Sequence, residues 1–347
     1  MATNPLRPVL LAAGRSRRLE RVVARSVLTR SLVERFIAGS TEPEVVGAVA
    51  DLLGSGRVVS VDHLGEDTTD AAQATATVDA YLSLLQAYSR LHTPQPPAFP
   101  SNSGRPPAFS SNSGRPPAFS SNSGRPPAFP LEISLKLSAL GQSLPDDGHA
   151  VALANAHKVC AAADAAGVWV TVDAEDHTTT DSTLAIVREL RKDFPTLGTV
   201  LQAYLHRTEQ DCRELSGPGS RIRLCKGAYR EPASVAFQKK ADVDASYERC
   251  LRVLMEGEGY PMVASHDPRM IEAARRDAAE LGRGPDDMEY QMLYGIRDGE
   301  QTRLVSEGYR VRVYVPFGTQ WYGYFMRRLA ERPANLTFFL RSLLTRS

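Results

Sequence analysis

Near the end of the chain stands YFMRRLAE, residues 324–331. On a helix, Tyr324, Arg327, Arg328 and Glu331 would fall at spacings of three and four and share a face. Two adjacent guanidinium forks suit a carboxylate held bidentately, and so a small anionic substrate. The same spacing also makes a solvated charged face with an Arg327–Glu331 pair, so the elements that position the helix must decide between the two readings.

Upstream, short apolar runs end repeatedly in polar residues: Asp62, His63 and Glu66; Lys136; Asp173, Glu175, Asp176 and His177; Gln202 and Tyr204; Arg223, Lys226 and Tyr229; His266 and Asp267; Glu289 and Gln291; Tyr314. Three chemistries use such residues. His63 and His177 with nearby carboxylates could hold a metal, although no HxH or HExxH pair sets one up. Lys136 or Lys226 could form a Schiff base, which needs a lowered lysine pKa that the many carboxylates oppose. Alternatively, the cations bind an anionic substrate.

The runs that carry these residues read as strands at 57–62, 132–137, 168–173, 199–204, 221–225, 261–265, 288–293 and 310–315. Helical segments fall near 69–91, 148–166, 180–193, 207–216, 243–258, 268–281, 299–307 and 319–332. Eight strand–helix alternations over about 275 residues, about 35 of them an insertion, match a (β/α)8 TIM-type barrel, whose active site lies at the C-terminal strand ends. A doubly wound sheet is the alternative, but no strand is followed by GxGxxG. Alternating parity means that about half of such strand-end residues would face outward.

The expected organisation is an N-terminal helical segment at 1–56, a catalytic barrel at 57–335 and a C-terminal tail at 336–347. The barrel is interrupted at 96–130, where SNSGRPPAF followed by Ser or Pro repeats three times. Paired prolines forbid helix and one Phe per unit cannot build a core, so this reads as a disordered linker between the first helix and the second strand. PxxP at 97–100 and 127–130 leaves polyproline docking as the other reading.

The 41 basic and 40 acidic side chains balance to +1, which gives no global field toward nucleic acid. The cysteines at 160, 212, 225 and 250 show no zinc-site spacing and read as reduced and buried. No apolar run approaches the roughly 18 to 20 residues that span a bilayer. Residues 1–36 carry eight arginines against Glu20 and Glu34, a pattern shared by transit peptides and by amphipathic helices of a domain.

Several stretches together resemble proline dehydrogenase, the FAD-dependent barrel family that oxidises L-proline: LGE (64–66), LKLSAL (135–140), VDAE (172–175), QAY (202–204), RLCKGAY (223–229), SHD (265–267), YQMLYG (290–295), YVPFG (314–318) and 324–331. They occur in family order and cover 57–335 outside the insertion. The resemblance implies that Arg327 and Arg328 clamp the proline carboxylate with help from Lys136. Asp173, Tyr229, Leu293, Tyr314 and Tyr324 would wall the pocket, and Glu66 would pair with a clamp arginine as a gate. Lys136, Asp173, Arg223 and Tyr314 would be the catalytic set. FAD would be met by Gln202, Arg223, the backbone of Cys225, Lys226 and Gly227, by Tyr229, and by His266 and Glu331, with no metal.

The implied reaction passes a hydride from the ring carbon beside nitrogen to the flavin and yields Δ1-pyrroline-5-carboxylate, as the first step of proline catabolism. A membrane quinone is the implied electron acceptor. The length suggests the monofunctional form, with a separate pyrroline-5-carboxylate dehydrogenase taking the product. The expected location is cytoplasmic, or the matrix side in a mitochondrion, with the basic N-terminus or the apolar tail as candidates for peripheral membrane attachment. Departures from the family pattern are Ser265-His266-Asp267 where Thr-His-Asn is usual, Arg230 where Trp is common after KGAY, Cys225 for a usual valine, and the insertion itself.

Overall fold

The computed structural model describes residues 33–90 and 131–331. Eight parallel strands close into a barrel in sequence order: β1 (Val58–His63), β2 (Leu131–Leu135), β3 (Trp169–Val172), β4 (Gly198–Gln202), β5 (Arg221–Cys225), β6 (Tyr260–Ala264), β7 (Glu289–Leu293) and β8 (Val311–Phe317). The last strand pairs with the first, Ser60 lying opposite Tyr314. Helix α1 (Glu42–Gly54) precedes β1, and α2 (Ala71–Arg90) through α9 follow the successive strands. The latter are α3 (Gly148–Ala165), α4 (Thr180–Leu190), α5 (Thr208–Leu215), α6 (Lys240–Glu256), α7 (Pro268–Leu281), α8 (Asp298–Ser306) and α9 (Tyr322–Glu331). All eight expected strands and eight expected helices are found. Residues 1–32, the repeat insertion and the tail lie outside the described residues.

Strand parity sorts the chemistry. Residues in lateral register share a face, so Ser60 beside Glu132, Glu132 beside Trp169, Val200 beside Arg223, Gln202 beside Cys225, and Leu293 beside Tyr314 form one inward set. The intervening residues face the helices. Val59, Val61, Ile133, Leu135, Val170, Val172, Val313 and Val315 belong to one apolar cluster; Leu201, Ile222, Leu224, Val263, Tyr290 and Met292 belong to another. The apolar core therefore lies between barrel and helices, where each fully buried aliphatic side chain contributes about 1.5–3 kcal/mol. The barrel interior is left mainly to polar and charged groups, with Trp169, Val200 and Met262 among them.

Two local details set the mouth. At the start of α1, Thr41 and Glu44 form a reciprocal cap, with Glu44 Oε2 accepting from the Thr41 amide at 3.0 Å. Ahead of that helix, Phe36 and Ile37 pack with Leu64, Tyr324, Phe325 and Leu329. The Ala38 amide donates to Pro316 O at 2.9 Å, which ties this segment to the end of β8 beneath α9. The described flanks of the repeat insertion are the C-terminal end of α2 and the N-terminal end of β2. Both lie on the barrel face opposite the C-terminal strand ends.

Candidate active site

The inward residues near the C-terminal strand ends form one bonded group. Lys136, just beyond β2, donates to Asp62 Oδ2 and lies 3.3 Å from the Tyr314 hydroxyl and 4.0 Å from Asp173 Oδ2. Tyr314 OH donates to Asp173 Oδ2 at 2.8 Å, while Asp173 Oδ1 accepts from Arg223 Nη1 at 2.6 Å and Ser134 Oγ at 2.9 Å. Each of these side chains projects inward because its strand residue has the right parity.

Electrostatics fixes their protonation. Burial works against the Lys136 ammonium, but Asp62 and Asp173 more than offset it and hold its pKa above the usual lysine value. That is the opposite of what a Schiff-base lysine needs. Burial and the neighbouring Asp173 push the Tyr314 phenol well up, so it stays a donor. Burial also raises Asp173 above the usual carboxylate value, against the pull of Arg223 and Lys136. Lys226, the other candidate amine, sits between Asp244 Oδ1 and Asp267 Oδ2, 2.6 Å from each. Among the described residues no group of three His, Cys, Asp or Glu side chains is arranged to hold a metal.

Helix α9 supplies the second half of the mouth. Both terminal nitrogens of Arg327 engage the Glu66 carboxylate, one at 2.9 Å, as a fork-to-fork pair. Burial opposes the Arg327 charge, but the Glu66 carboxylate more than offsets it and raises its pKa further. The Arg327 guanidinium lies 6.0 Å from the Tyr229 ring centroid, and that of Arg328 lies 5.0 Å from the Tyr324 centroid. Glu66 acts electrostatically on both Lys136 and Tyr229, and Asp173 also acts on Tyr229, so the two halves share one mouth. Leu293 and Tyr314 pack on the apolar cluster that holds Tyr324.

The remaining sequence candidates line the β4–β7 side. Gln202 is buried, and its Oε1 has no hydrogen-bond partner among the described residues. Cys225 lies beside it in register, and burial pushes its thiol up to about 11. Gly227 adopts φ +107°, and a Cβ there would be driven into the Tyr204 ring, so the backbone passes where no side chain fits. His266 Nε2 accepts from the Leu293 amide at 2.9 Å, which bridges the ends of β6 and β7. Glu331 closes α9, but its side chain lies outside the described residues. Asp267 caps α7 by accepting from the Arg269 amide at 3.1 Å while also binding Lys226.

Sequence reading gave no role to Ser134 or Ser138, or to the bond between Glu175 and Ser138. Glu175 accepts from the Ser138 amide at 3.0 Å and from its hydroxyl, while Ser138 Oγ accepts from the Asp67 amide at 3.0 Å, next to Glu66. Burial pushes the Glu175 carboxyl up to about 7 from 4.5, despite the two bonds from Ser138. The folded state thus holds this proton more tightly than the unfolded chain does. Its contribution to stability is complete below about pH 4.5 and is lost as pH rises through about 7. Glu175→Gln stays neutral and should exceed the parent in stability by about 3 kcal/mol near pH 8, the margin vanishing toward pH 4. Thermal melts across this range check it; a pH-independent margin would count against the buried acid.

A closed parallel barrel with paired arginines and a buried lysine at its C-terminal mouth defines a (β/α)8 enzyme-type scaffold suited to a small anion. The proline dehydrogenase family model matches residues 45–341. The chain is 36% identical over 316 residues to a proline dehydrogenase of Deinococcus radiodurans, covering 90% of each chain. It is 34% identical over 339 residues to proline dehydrogenase 1 of Bacillus subtilis, covering 98% of this chain and 99% of that one. Among solved structures, proline utilization A from Bdellovibrio bacteriovorus superposes with a TM-score of 0.74 at 24% identity. That alignment covers 99% of this chain but 38% of the longer one, and it supports the barrel fold. The chain belongs to the proline dehydrogenase family.

Proposed function

We propose that this chain oxidises L-proline to Δ1-pyrroline-5-carboxylate with FAD as its cofactor, the first step of proline catabolism. Family membership supports the substrate. The observation that supports the site assignment is that Lys136, Asp173 and Tyr314 are bonded together at the barrel mouth, with Arg327 tied to Glu66 and Arg328 beside Tyr324, whose apolar cluster Tyr314 packs against. The cations would take the proline carboxylate, with Arg327 joining as its pair with Glu66 opens. Opening that pair would admit substrate and closing it would exclude water. Leu293, Tyr229, Tyr314 and Tyr324 would pack around the ring.

The β4–β5 side fits a flavin. The orphaned Gln202 Oε1 would meet an N–H donor at the isoalloxazine edge, and the side-chain-free backbone at Gly227 admits close approach. Arg223, the backbone of Cys225 and Lys226, Tyr229, His266 and Glu331 would complete the holding set. When bound, FAD supplies the hydride acceptor. The chain's own residues bind and orient: Asp173 fixes the Tyr314 hydroxyl and Arg223 by direct hydrogen bonds, and Asp62 fixes Lys136. Three cations near the carboxylate also lower the pKa of the bound amine, which must be neutral for hydride loss. Incubation with L-proline and an artificial two-electron acceptor should yield pyrroline-5-carboxylate matched one for one to acceptor reduced; product without acceptor reduction would overturn the reading.

A quinone as physiological acceptor, a separate dehydrogenase for the product, and a cytoplasmic location with peripheral membrane attachment extend this proposal. Among the described residues no helix is long and apolar enough to cross a membrane. Deleting residues 96–129 should leave kcat/KM for proline within about twofold, because the flanks of the insertion lie opposite the mouth. Loss of flavin from that variant would contradict its reading as a linker.

A further inference from the structure

Beneath the mouth the barrel interior stays ionic down to its floor. The inference drawn from this rests on the reading that Arg223 faces the flavin. A guanidinium has five N–H donors, and each donor of Arg223 meets an acceptor. Nε reaches the Gln291 side-chain oxygen. Nη1 reaches Ser134 Oγ at 2.9 Å and Asp173 Oδ1 at 2.6 Å, and Nη2 reaches Ser60 Oγ at 3.3 Å and Glu132 Oε1 at 2.8 Å. Asp173 holds the arginine from the mouth, and Glu132 holds it from below.

Glu132 is fully buried at 0% exposure. Its other oxygen binds Arg221, whose guanidinium lies 3.9 Å from the Trp169 ring centroid. Arg312 comes within 4.0 Å of the same carboxylate and forks onto Glu289 at 2.7 and 3.0 Å. Glu132 is thus the carboxylate that joins the floor arginines to Arg223. Counted formally, the buried carboxylates Asp62, Glu132, Asp173 and Glu289 balance the cations Lys136, Arg221, Arg223 and Arg312, four against four. A buried carboxylate among three arginines stays ionised, and each member depends on its partners to remain charged.

We propose that Glu132 is a positioning residue for proline oxidation. It locks the Arg223 guanidinium in one orientation and cancels part of its charge from beneath, without touching substrate or cofactor. Glu132→Gln keeps the shape, frees one acceptor contact and leaves the interior formally one charge more positive. A cation with greater weight near a cofactor favours its reduced, more negative form.

The test measures the midpoint potential of the flavin-loaded full chain by anaerobic reduction against a reference dye. Glu132→Gln should raise the reduction equilibrium about tenfold, or about 30 mV for two electrons. Glu289→Gln removes the same formal charge without a bond to Arg223 and should shift it less. Arg223→Lys tests the underlying reading. If it moves the potential and Glu132→Gln does not, the role of Glu132 is overturned while the placement of Arg223 stands. If neither moves it, both are overturned. Equal shifts in the two glutamine variants would also overturn the positional role, since charge count would suffice. Should Glu132→Gln fail to fold, Glu132→Asp keeps the charge but withdraws the carboxylate by one methylene. It should shift the potential in the same direction by less, and an unshifted potential there overturns the proposal.

Discussion

Replacing Arg328 with Met should raise the KM for L-proline about a hundredfold while flavin remains bound. Truncating one partner of a buried or half-buried charge pair costs about 2–5 kcal/mol, and each 1.4 kcal/mol is tenfold in affinity. Met keeps much of the side-chain length and its packing beside Tyr324, so the loss falls on the carboxylate interaction. Because a carboxylate clamp would act both before and during the reaction, KM should carry most of the effect and kcat less. Arg327 is the poorer first target, because removing it would also strand Glu66, to which it is paired. Steady-state kinetics together with the flavin-to-protein absorbance ratio decides the matter. An unchanged KM would remove Arg328 from the clamp, and a lost flavin band would reassign it to cofactor binding.

Asp173→Asn should have the second large effect, lowering kcat/KM by about a thousandfold, which is about 4 kcal/mol of transition-state stabilisation. The carboxylate hydrogen-bonds Arg223 at 2.6 Å, Ser134 at 2.9 Å and Tyr314 at 2.8 Å, and it lies 4.0 Å from the Lys136 ammonium. An amide is nearly isosteric, but its NH2 group would face either a guanidinium, which cannot accept, or the Tyr314 phenol, which would have to turn from donor to acceptor. Stability should fall too, by about 3 kcal/mol, because breaking one half of a buried ion pair leaves the other charge uncompensated. Urea unfolding reads this as a lower midpoint with an unchanged slope. If stability and turnover were both untouched, the remaining partners of Arg223 would suffice and Asp173 would have no organising role.

The barrel was legible because its signal is periodic. Each strand-like run is short, apolar at alternate positions and followed by a longer helical run, so fold class and strand order follow from local pattern and length. Boundaries moved by up to three residues: β2 ends at Leu135, so Lys136 stands on the rim rather than within the strand. The inward set was half legible. Once Arg223 is placed inward, parity places Arg221 inward as well, but nothing local tells that Arg221 meets Glu132, 89 residues away. The same holds for Lys226, whose partners Asp244 and Asp267 come from two other helix starts, and for His177 with Glu231, 54 residues apart. Residue type and parity show which groups can meet; only the closed barrel shows which do. Asp62 shows the gap most clearly, since it appeared among strand-end polar residues and acquired a function only when Lys136 was found bound to it.

Whether the β4–β5 side of this mouth holds a flavin within reach of proline is decided by recording the absorbance of the purified chain under anaerobic conditions before and after L-proline is added. The purified protein should be yellow, with flavin bands that bleach on addition of proline and return when an electron acceptor is supplied. A colourless protein that takes up no flavin, or bands that stay unchanged at saturating proline, would contradict this placement.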